Sequence, residues 1–259
     1  MSSNPIGIFD SGVGGTSIWK EIHQLLPHEH TIYLSDSVNA PYGPKGKETI
    51  TALSIKNTEL LLKKGCKLIV VACNTATTNA INYLRQHYNV PFIGIEPAIK
   101  PAALHTKTNA VGILATKGTL SSALFSKTSG EFAQHINVIE REGKGIVELI
   151  ERGKLHSETM KSLLTVYLEP MIKANIDYLV LGCTHYPYLT PILSELLPNH
   201  VRIIDSGAAV ARQTQAILNE NSLLNTSLIP AKNEFYTNGD PEVIRSLLGG
   251  DFDVEYLNF

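Results

Sequence analysis

Leu68-Ile69-Val70-Val71-Ala72-Cys73-Asn74-Thr75 and Tyr178-Leu179-Val180-Leu181-Gly182-Cys183-Thr184-His185 say nearly the same thing twice. Each is an apolar run of strand length, then a small residue, a cysteine, and hydrogen-bonding residues where a helix would begin. Each therefore predicts a buried strand that ends in a thiol. In open parallel sheets, ligands bind beyond the carboxyl ends of the strands. Two halves facing each other would present Cys73 and Cys183 to a common cleft, an arrangement suited to a reaction that needs two similar thiols.

The surrounding chain repeats this pattern. Apolar runs alternate with amphipathic helical stretches nearly throughout, which predicts an α/β protein with largely parallel sheets. Ile6-Gly7-Ile8-Phe9 reads as a buried strand leading into the loop Asp10-Ser11-Gly12-Val13-Gly14-Gly15. A helix follows over 16–26, closed by Pro27, then a strand over 31–34 ending at Asp36. The Pro- and Gly-rich stretch 40–46 reads as a shaped loop, and 47–64 as a helix stopped by Gly65. A helix over 75–87 and a strand over 90–95 complete the unit.

In the second half, Val111-Gly112-Ile113-Leu114-Ala115-Thr116 mirrors Ile6-Gly7-Ile8-Phe9-Asp10-Ser11. Likewise Asn137-Val138-Ile139 mirrors Ile32-Tyr33-Leu34, Cys183 mirrors Cys73, and Arg202-Ile203-Ile204 mirrors Phe92-Ile93-Gly94. The expected fold is two similar open, mainly parallel α/β domains related by pseudo-symmetry, with the active site in the cleft between them. The linkers fall near 96–101 and 205–207. A helix over 208–221, a loose polar stretch to Lys232, a strand over 233–237, a helix begun by Asp240-Pro241 and a strand over 252–257 have no counterpart in the second half. Folding this tail back onto the first half gives domains of 1–97 plus 208–259 and of 98–207.

Composition narrows the function classes. With 43% hydrophobic and 18% charged residues, the 259-residue chain has ample core. Lys+Arg 22 against Asp+Glu 24 leaves −2, so no general basic field for nucleic acid exists. No apolar run approaches the roughly 20 residues of a membrane span. The polar start from Met1 to Pro5 shows no secretory signal. Three cysteines make no disulfide framework, which favours a cytoplasmic chain with working or buried thiols.

A lone strand cysteine is ordinarily a buried structural thiol, and Cys66, which opens its strand without polar company, is read that way. Cys73 and Cys183 differ in their repeated setting at a helix start, where the dipole and backbone N–H groups stabilise a thiolate. No CxxC spacing occurs, and His185 alone does not complete a metal-ligand set. Asn74, Thr75 and Thr184 suit helix N-caps and suit a polar ligand equally; the two roles are compatible.

Four motifs in register carry a specific resemblance: Phe9-Asp10-Ser11-Gly12-Val13-Gly14-Gly15, Pro41-Tyr42-Gly43, Ala72-Cys73-Asn74-Thr75-Ala76 and Gly182-Cys183-Thr184-His185-Tyr186-Pro187. From residue 6 to the C-terminal strand the chain resembles the glutamate branch of the cofactor-independent aspartate/glutamate racemase family. The resemblance implies inversion at the α-carbon of glutamate without a cofactor, in a cytoplasmic homodimer that supplies D-glutamate for peptidoglycan. It implies Cys73 as the base toward D-glutamate and Cys183 as the base toward L-glutamate. Asp10 and His185 are implied as their respective helpers. Ser11, Tyr42, Gly43, Asn74, Thr75 and Thr184, with Asp10 and His185, match the family's substrate contacts. Glu151 aligns with an acidic residue that supports the histidine. A solvated helix face is its other reading, because Glu142-Gly143-Lys144-Gly145 departs from the Cys-Pro start common there.

Three rival readings are weaker. Gly12-Val13-Gly14 with Asp36 further on resembles a dinucleotide-binding turn with its ribose-binding acid. However, Ser17 stands at the third glycine position, and both cysteine motifs would be left without a role. No lysine sits in a context that marks a Schiff-base residue for pyridoxal phosphate. A two-domain small-molecule binder would use the same cleft without chemistry.

Overall fold

The computed structural model describes residues 3–133, 135–227, 230–250 and 252–259. Met1 and Ser2 of the polar start, and Leu228 and Ile229 of the loose stretch, lie outside the described residues.

The first series of elements is β1 (Ile6–Asp10), α1 (Thr16–Leu25), β2 (Thr31–Ser35), α2 (Lys47–Lys63), β3 (Leu68–Val71), α3 (Asn74–His87) and β4 (Phe92–Gly94). The second runs α4 (Ile99–His105), β5 (Ala110–Ala115), α5 (Lys117–Leu120), α6 (Ala123–Phe132), β6 (Asn137–Glu142), α7 (Ile146–Glu151), α8 (Glu158–Lys173), β7 (Tyr178–Gly182), α9 (Thr190–Leu196) and β8 (Arg202–Ile204). The tail supplies α10 (Gly207–Glu220), β9 (Asn233–Thr237), α11 (Pro241–Leu248) and β10 (Val254–Tyr256).

These strands form two sheets, in the orders β10-β9-β2-β1-β3-β4 and β6-β5-β7-β8, and every pairing is parallel. The order β2-β1-β3-β4 recurs as β6-β5-β7-β8, so the repeat read in the sequence is a repeat of topology. The central strands β1, β3, β5 and β7 are buried along their whole length. That is why they read as continuous apolar runs rather than alternating ones. The edge strand β6 instead carries Glu140, Arg141 and Glu142, which discourage pairing with another sheet.

The tail extends the first sheet beyond β2, with Thr31 to Ser35 paired along Asn233 to Thr237. Trp19 of α1 explains how it is held. Its ring meets Phe235 at 4.8 Å and Phe252 at 5.1 Å, both edge-on, and its indole N–H donates to Thr31 Oγ1 at 2.9 Å. Phe252 turns into this cluster, so β10 covers only Val254–Tyr256 rather than the expected 252–257. A buried ion pair between Lys67 and Glu29, at 2.6 Å, holds the preceding segment, because Glu29 also accepts the Asn225 N–H at 2.6 Å.

Other element ends differ from the expected ones for local reasons. Helix α3 begins at Asn74 rather than Thr75 because Cys73 is itself the cap, its sulfur accepting the Ala76 N–H at 3.4 Å. Strand β4 stops before Ile95, whose N–H turns to Thr77 Oγ1 at 3.0 Å instead of joining a ladder. Helix α2 ends at Lys63, with Gly65 just beyond it at φ +80°, a conformation that favours glycine. Among the described residues, no helix is long and apolar enough to cross a membrane.

Candidate active site

The carboxyl ends of β1, β3 and β7 converge on one cavity. It is lined by Ser11, Pro41, Tyr42, Gly43, Cys73, Asn74, Thr75, Thr116, Val147, Cys183, Thr184 and His185. Both cysteines therefore face the same space, from different sheets. The cavity has a volume of about 10 Å³, room for about one water molecule. The two halves are drawn together over it.

Cys73 sits where β3 passes into α3. Its sulfur accepts the Ala76 N–H at 3.4 Å and lies 3.5 Å from the Ser11 hydroxyl, which it meets as a donor. Burial pushes its pKa well above the ordinary thiol value, and the nearby Asp10 carboxylate pushes it further; the Ala76 N–H and Ser11 work in the opposite direction. Asp10, wholly buried at the end of β1, accepts the Ser11 N–H at 2.7 Å, the Gly15 N–H at 2.6 Å and the Thr184 hydroxyl at 3.2 Å. Its pKa is raised, first by burial and also by the charge of Glu151, against the lowering effects of His185 and the Gly15 N–H. A carboxyl and a thiol in this setting hold protons more readily than they would in water.

The Cys183 side is built differently. His185 Nδ1 lies 3.7 Å from the Cys183 sulfur, and Nε2 lies 2.5 Å from Glu151 Oε1. Burial works against a charged imidazole, but its hydrogen bonds to the Cys183 sulfur and to the Glu151 carboxylate outweigh it. The His185 pKa stands well above the ordinary histidine value. The arrangement is a relay from the second thiol through a buried, proton-holding ring to a carboxylate.

Glu151 also accepts the Val13 N–H at 2.7 Å and the Ser37 hydroxyl at 2.8 Å, so it ties α7 to the first sheet. Its carboxylate thus packs between the two halves, and the solvated-face reading does not describe it. The Asp10-to-Gly15 loop explains its own glycines. A side chain at Gly12 would collide with Glu151, and one at Gly14 with His185. The glycines let Glu151 and His185 lie against the loop backbone; this is a packing requirement rather than a phosphate cradle. Asp36 offers no free carboxylate to a ribose either. It is fully buried and accepts bonds from Tyr42 Oη at 2.6 Å, Asn238 at 2.6 Å, Asn39 at 2.8 Å and Lys56 at 3.1 Å.

The polar walls are only partly satisfied. Thr75 and Thr116 share a hydrogen bond of 2.8 Å across the two halves. Tyr42 is locked by Asp36, which leaves its ring and the adjacent Gly43 as wall. Asn74 differs from these. It is buried, and among the described residues neither its amide nitrogen nor its oxygen has a partner. Each unbonded end of a buried amide costs about 1–3 kcal/mol, an arrangement suited to a polar ligand.

All the sequence-selected residues except Asp10 and Glu151 line the cavity, and those two lie directly behind it. The cavity also receives Pro41, which the sequence marks only as part of a motif, and Thr116 and Val147, which sequence reasoning missed. Thr116 carried a signal, since it is the counterpart of Ser11 in the repeated strand. Cys66, 4% exposed, lies away from the cavity; burial pushes its thiol up to about 12, the behaviour of a structural cysteine. Among the described residues, no three His, Cys, Asp or Glu side chains gather as a metal-ligand set.

Comparison with known proteins agrees with this geometry. The Asp/Glu/Hydantoin racemase family profile matches residues 6–214. A glutamate racemase of Herpetosiphon aurantiacus is 47% identical over 241 residues, covering 93% of this chain and 95% of that protein. The structure of Escherichia coli glutamate racemase in complex with L-glutamate and the activator UDP-MurNAc-Ala aligns with a TM-score of 0.86 at 34% identity, covering 98% of each chain. That of Francisella tularensis glutamate racemase with D-glutamate aligns with a TM-score of 0.85 at 28% identity, covering 100% of this chain and 98% of that one. A profile match over most of the chain, joined to a cavity that receives one cysteine from each of two matching sheets, places this chain in the Asp/Glu/Hydantoin racemase family.

Proposed function

We propose that the protein interconverts L- and D-glutamate by moving a proton through Cys73 and Cys183, without an added cofactor. The observation that carries the reading is the single cavity with one thiol from each sheet, each backed by a different helper. Racemisation must take a proton from one face of the α-carbon and return one to the other, so a base and an acid of matched proton affinity must face each other. A thiolate and a thiol meet that demand, and exchanging their roles runs the reaction backwards. The named relatives support glutamate as substrate: one was solved with L-glutamate and another with D-glutamate.

In the direction from L-glutamate, Cys183 as thiolate removes the α-proton while the Cys73 thiol delivers one to the opposite face. His185 stands ready to share the proton on the Cys183 side, and Asp10 serves Cys73 in the same way. Ser11, Asn74, Thr75 and Thr184 supply preorganised donors for the α-carboxylate, whose charge grows as the carbanion forms. Tyr42 and Gly43 shape the wall beside them. Glu151 is a positioning residue that holds the His185 ring in orientation and in charge.

The cavity is far smaller than glutamate, so the halves must separate for binding. A second hollow of about 110 Å³ shares Pro41, Gly43, Thr116 and Val147 with the cavity and marks the route of access. Opening draws on the hydrogen bonds that join the halves, among them Ser17 Oγ to the Thr184 carbonyl, 2.8 Å, Thr16 with Tyr188, 2.6 Å, and Thr75 with Thr116, 2.8 Å. The same picture divides the chain into domains of 1–97 plus 208–259 and of 98–207, supported by the pairing of β9 with β2. The family resemblance supports a cytoplasmic homodimer that provides D-glutamate for peptidoglycan. The net charge of −2 argues against nucleic acid as a partner.

Incubating the purified protein with L- or D-glutamate in deuterated water tests the reading. Loss of optical rotation with gain of α-deuterium from both enantiomers is the expected result. Binding without either change would leave a non-catalytic amino-acid receptor, and exchange with aspartate alone would move the substrate to a relative of glutamate.

A further inference from the structure

At the opposite, amino-terminal ends of β5, β7 and β8, an open groove of about 670 Å³ is lined by His105, Lys107, Thr108, Asp177, Tyr178, His200 and Arg202. Strand β7 separates it from the cysteine cavity by five residues, about 15 Å at the usual rise of a strand. The whole sequence carries −2, yet two permanent cations and two imidazoles, from separate segments, gather here around one carboxylate.

That carboxylate is already engaged. Asp177 accepts the Thr106 hydroxyl at 2.6 Å, the Lys107 N–H at 2.5 Å and the Thr108 N–H at 3.2 Å. Against the effect of burial, these donors hold its pKa below the ordinary carboxylate value. Asp177 thus folds the 106–108 turn. Among the described residues, no ion pair engages Lys107 or Arg202. Among the same residues, the Arg202 guanidinium makes a long bond of 3.4 Å to the Tyr178 hydroxyl. Unpaired cations facing one concave space raise the local concentration of anions and suit ligands with several negative oxygens.

We propose that this groove binds a multiply charged phosphate compound, of the di- or triphosphate type, with Lys107 and Arg202 as the principal contacts. One carboxylate offers two oxygens and a single charge; a chain of phosphates offers several of each to the two cations lining the groove. The inference does not rest on the racemase reading, because none of these residues touches the cysteine cavity.

Calorimetric titration of the full chain with inorganic tripolyphosphate, and separately with ATP, tests it. The expected result is saturable binding of at least one of them below the millimolar range, weakened about tenfold or more in the Lys107→Ala/Arg202→Ala double variant and weakened by added salt. Binding of tripolyphosphate alone would assign inorganic polyphosphate, and preference for ATP a nucleotide. Circular dichroism of the double variant, and its racemisation of glutamate, check that the fold is kept. No binding of either compound, or equal binding by a folded double variant, overturns the proposal.

Discussion

Replacing His185 with asparagine gives the sharpest test of the relay behind Cys183. Asparagine can place an amide near the position of Nδ1, 3.7 Å from the sulfur, but it carries no charge and cannot reach Glu151. What is lost is a charge-assisted interaction in a buried site, where such bonds contribute about 1.5–3 kcal/mol. If that help is realised in the transition state, kcat/KM falls about 10- to 150-fold. Because the two enantiomers have equal free energy, kcat/KM must fall equally in both directions. The asymmetry has to be sought in isotope effects. With the Cys183 step slowed, L-glutamate deuterated at Cα should show a larger primary isotope effect than in the unaltered protein, and deuterated D-glutamate a smaller one. Circular dichroism following each enantiomer, with protiated and deuterated substrate, gives all four rates. An isotope effect that grows from the D side instead, or an unchanged kcat/KM, would refute the pairing of His185 with Cys183.

Cys73→Ala and Cys183→Ala should each abolish racemisation while leaving the far-ultraviolet circular dichroism unchanged. Full activity in either would exclude the two-thiol mechanism. Gly118→Ala should raise KM and destabilise the closed form by about 1–3 kcal/mol, because the added methyl would sit 2.7 Å from Thr75 Cγ2 and 2.9 Å from the Gly43 carbonyl oxygen; steady-state kinetics and thermal melts read both. His185 has a folded pKa well above its unfolded value near 6.5, so its contribution to stability is complete below about pH 6.5. It is lost as pH rises through the higher folded value. Melting temperature should therefore fall toward alkaline pH, and less steeply in His185→Asn.

The chain's own repeat made most of the fold legible. Because β1, β3, β5 and β7 are buried on both faces, their sequences are unbroken apolar runs, and the small residue and cysteine that follow mark where the strands stop. That the two sheets share a design was legible because the same four runs appear twice in the same order; which strands lie side by side was decided by the fold. Element ends were less legible wherever a side chain captured a backbone group, as Thr77 does with Ile95. Thr116 was passed over as a wall of the cavity although its mirror, Ser11, had been selected; the hydroxyl matters only because β5 brings it against Thr75.

By itself, then, the sequence determined two α/β units, a thiol at the end of one strand in each, and the polar residues that follow each thiol. These are local properties, written in periodicity and in the order of neighbouring residues. Only the tertiary structure decided what surrounds the thiols. Glu151, far from His185 along the chain, reaches its ring; Asp10 accepts the Thr184 hydroxyl from the other sheet; and the glycines of the first loop turn out to make room for Glu151 and His185. Proton affinities in the site depend on burial and on charges contributed from distant segments. That is why two nearly identical stretches end in two chemically different surroundings.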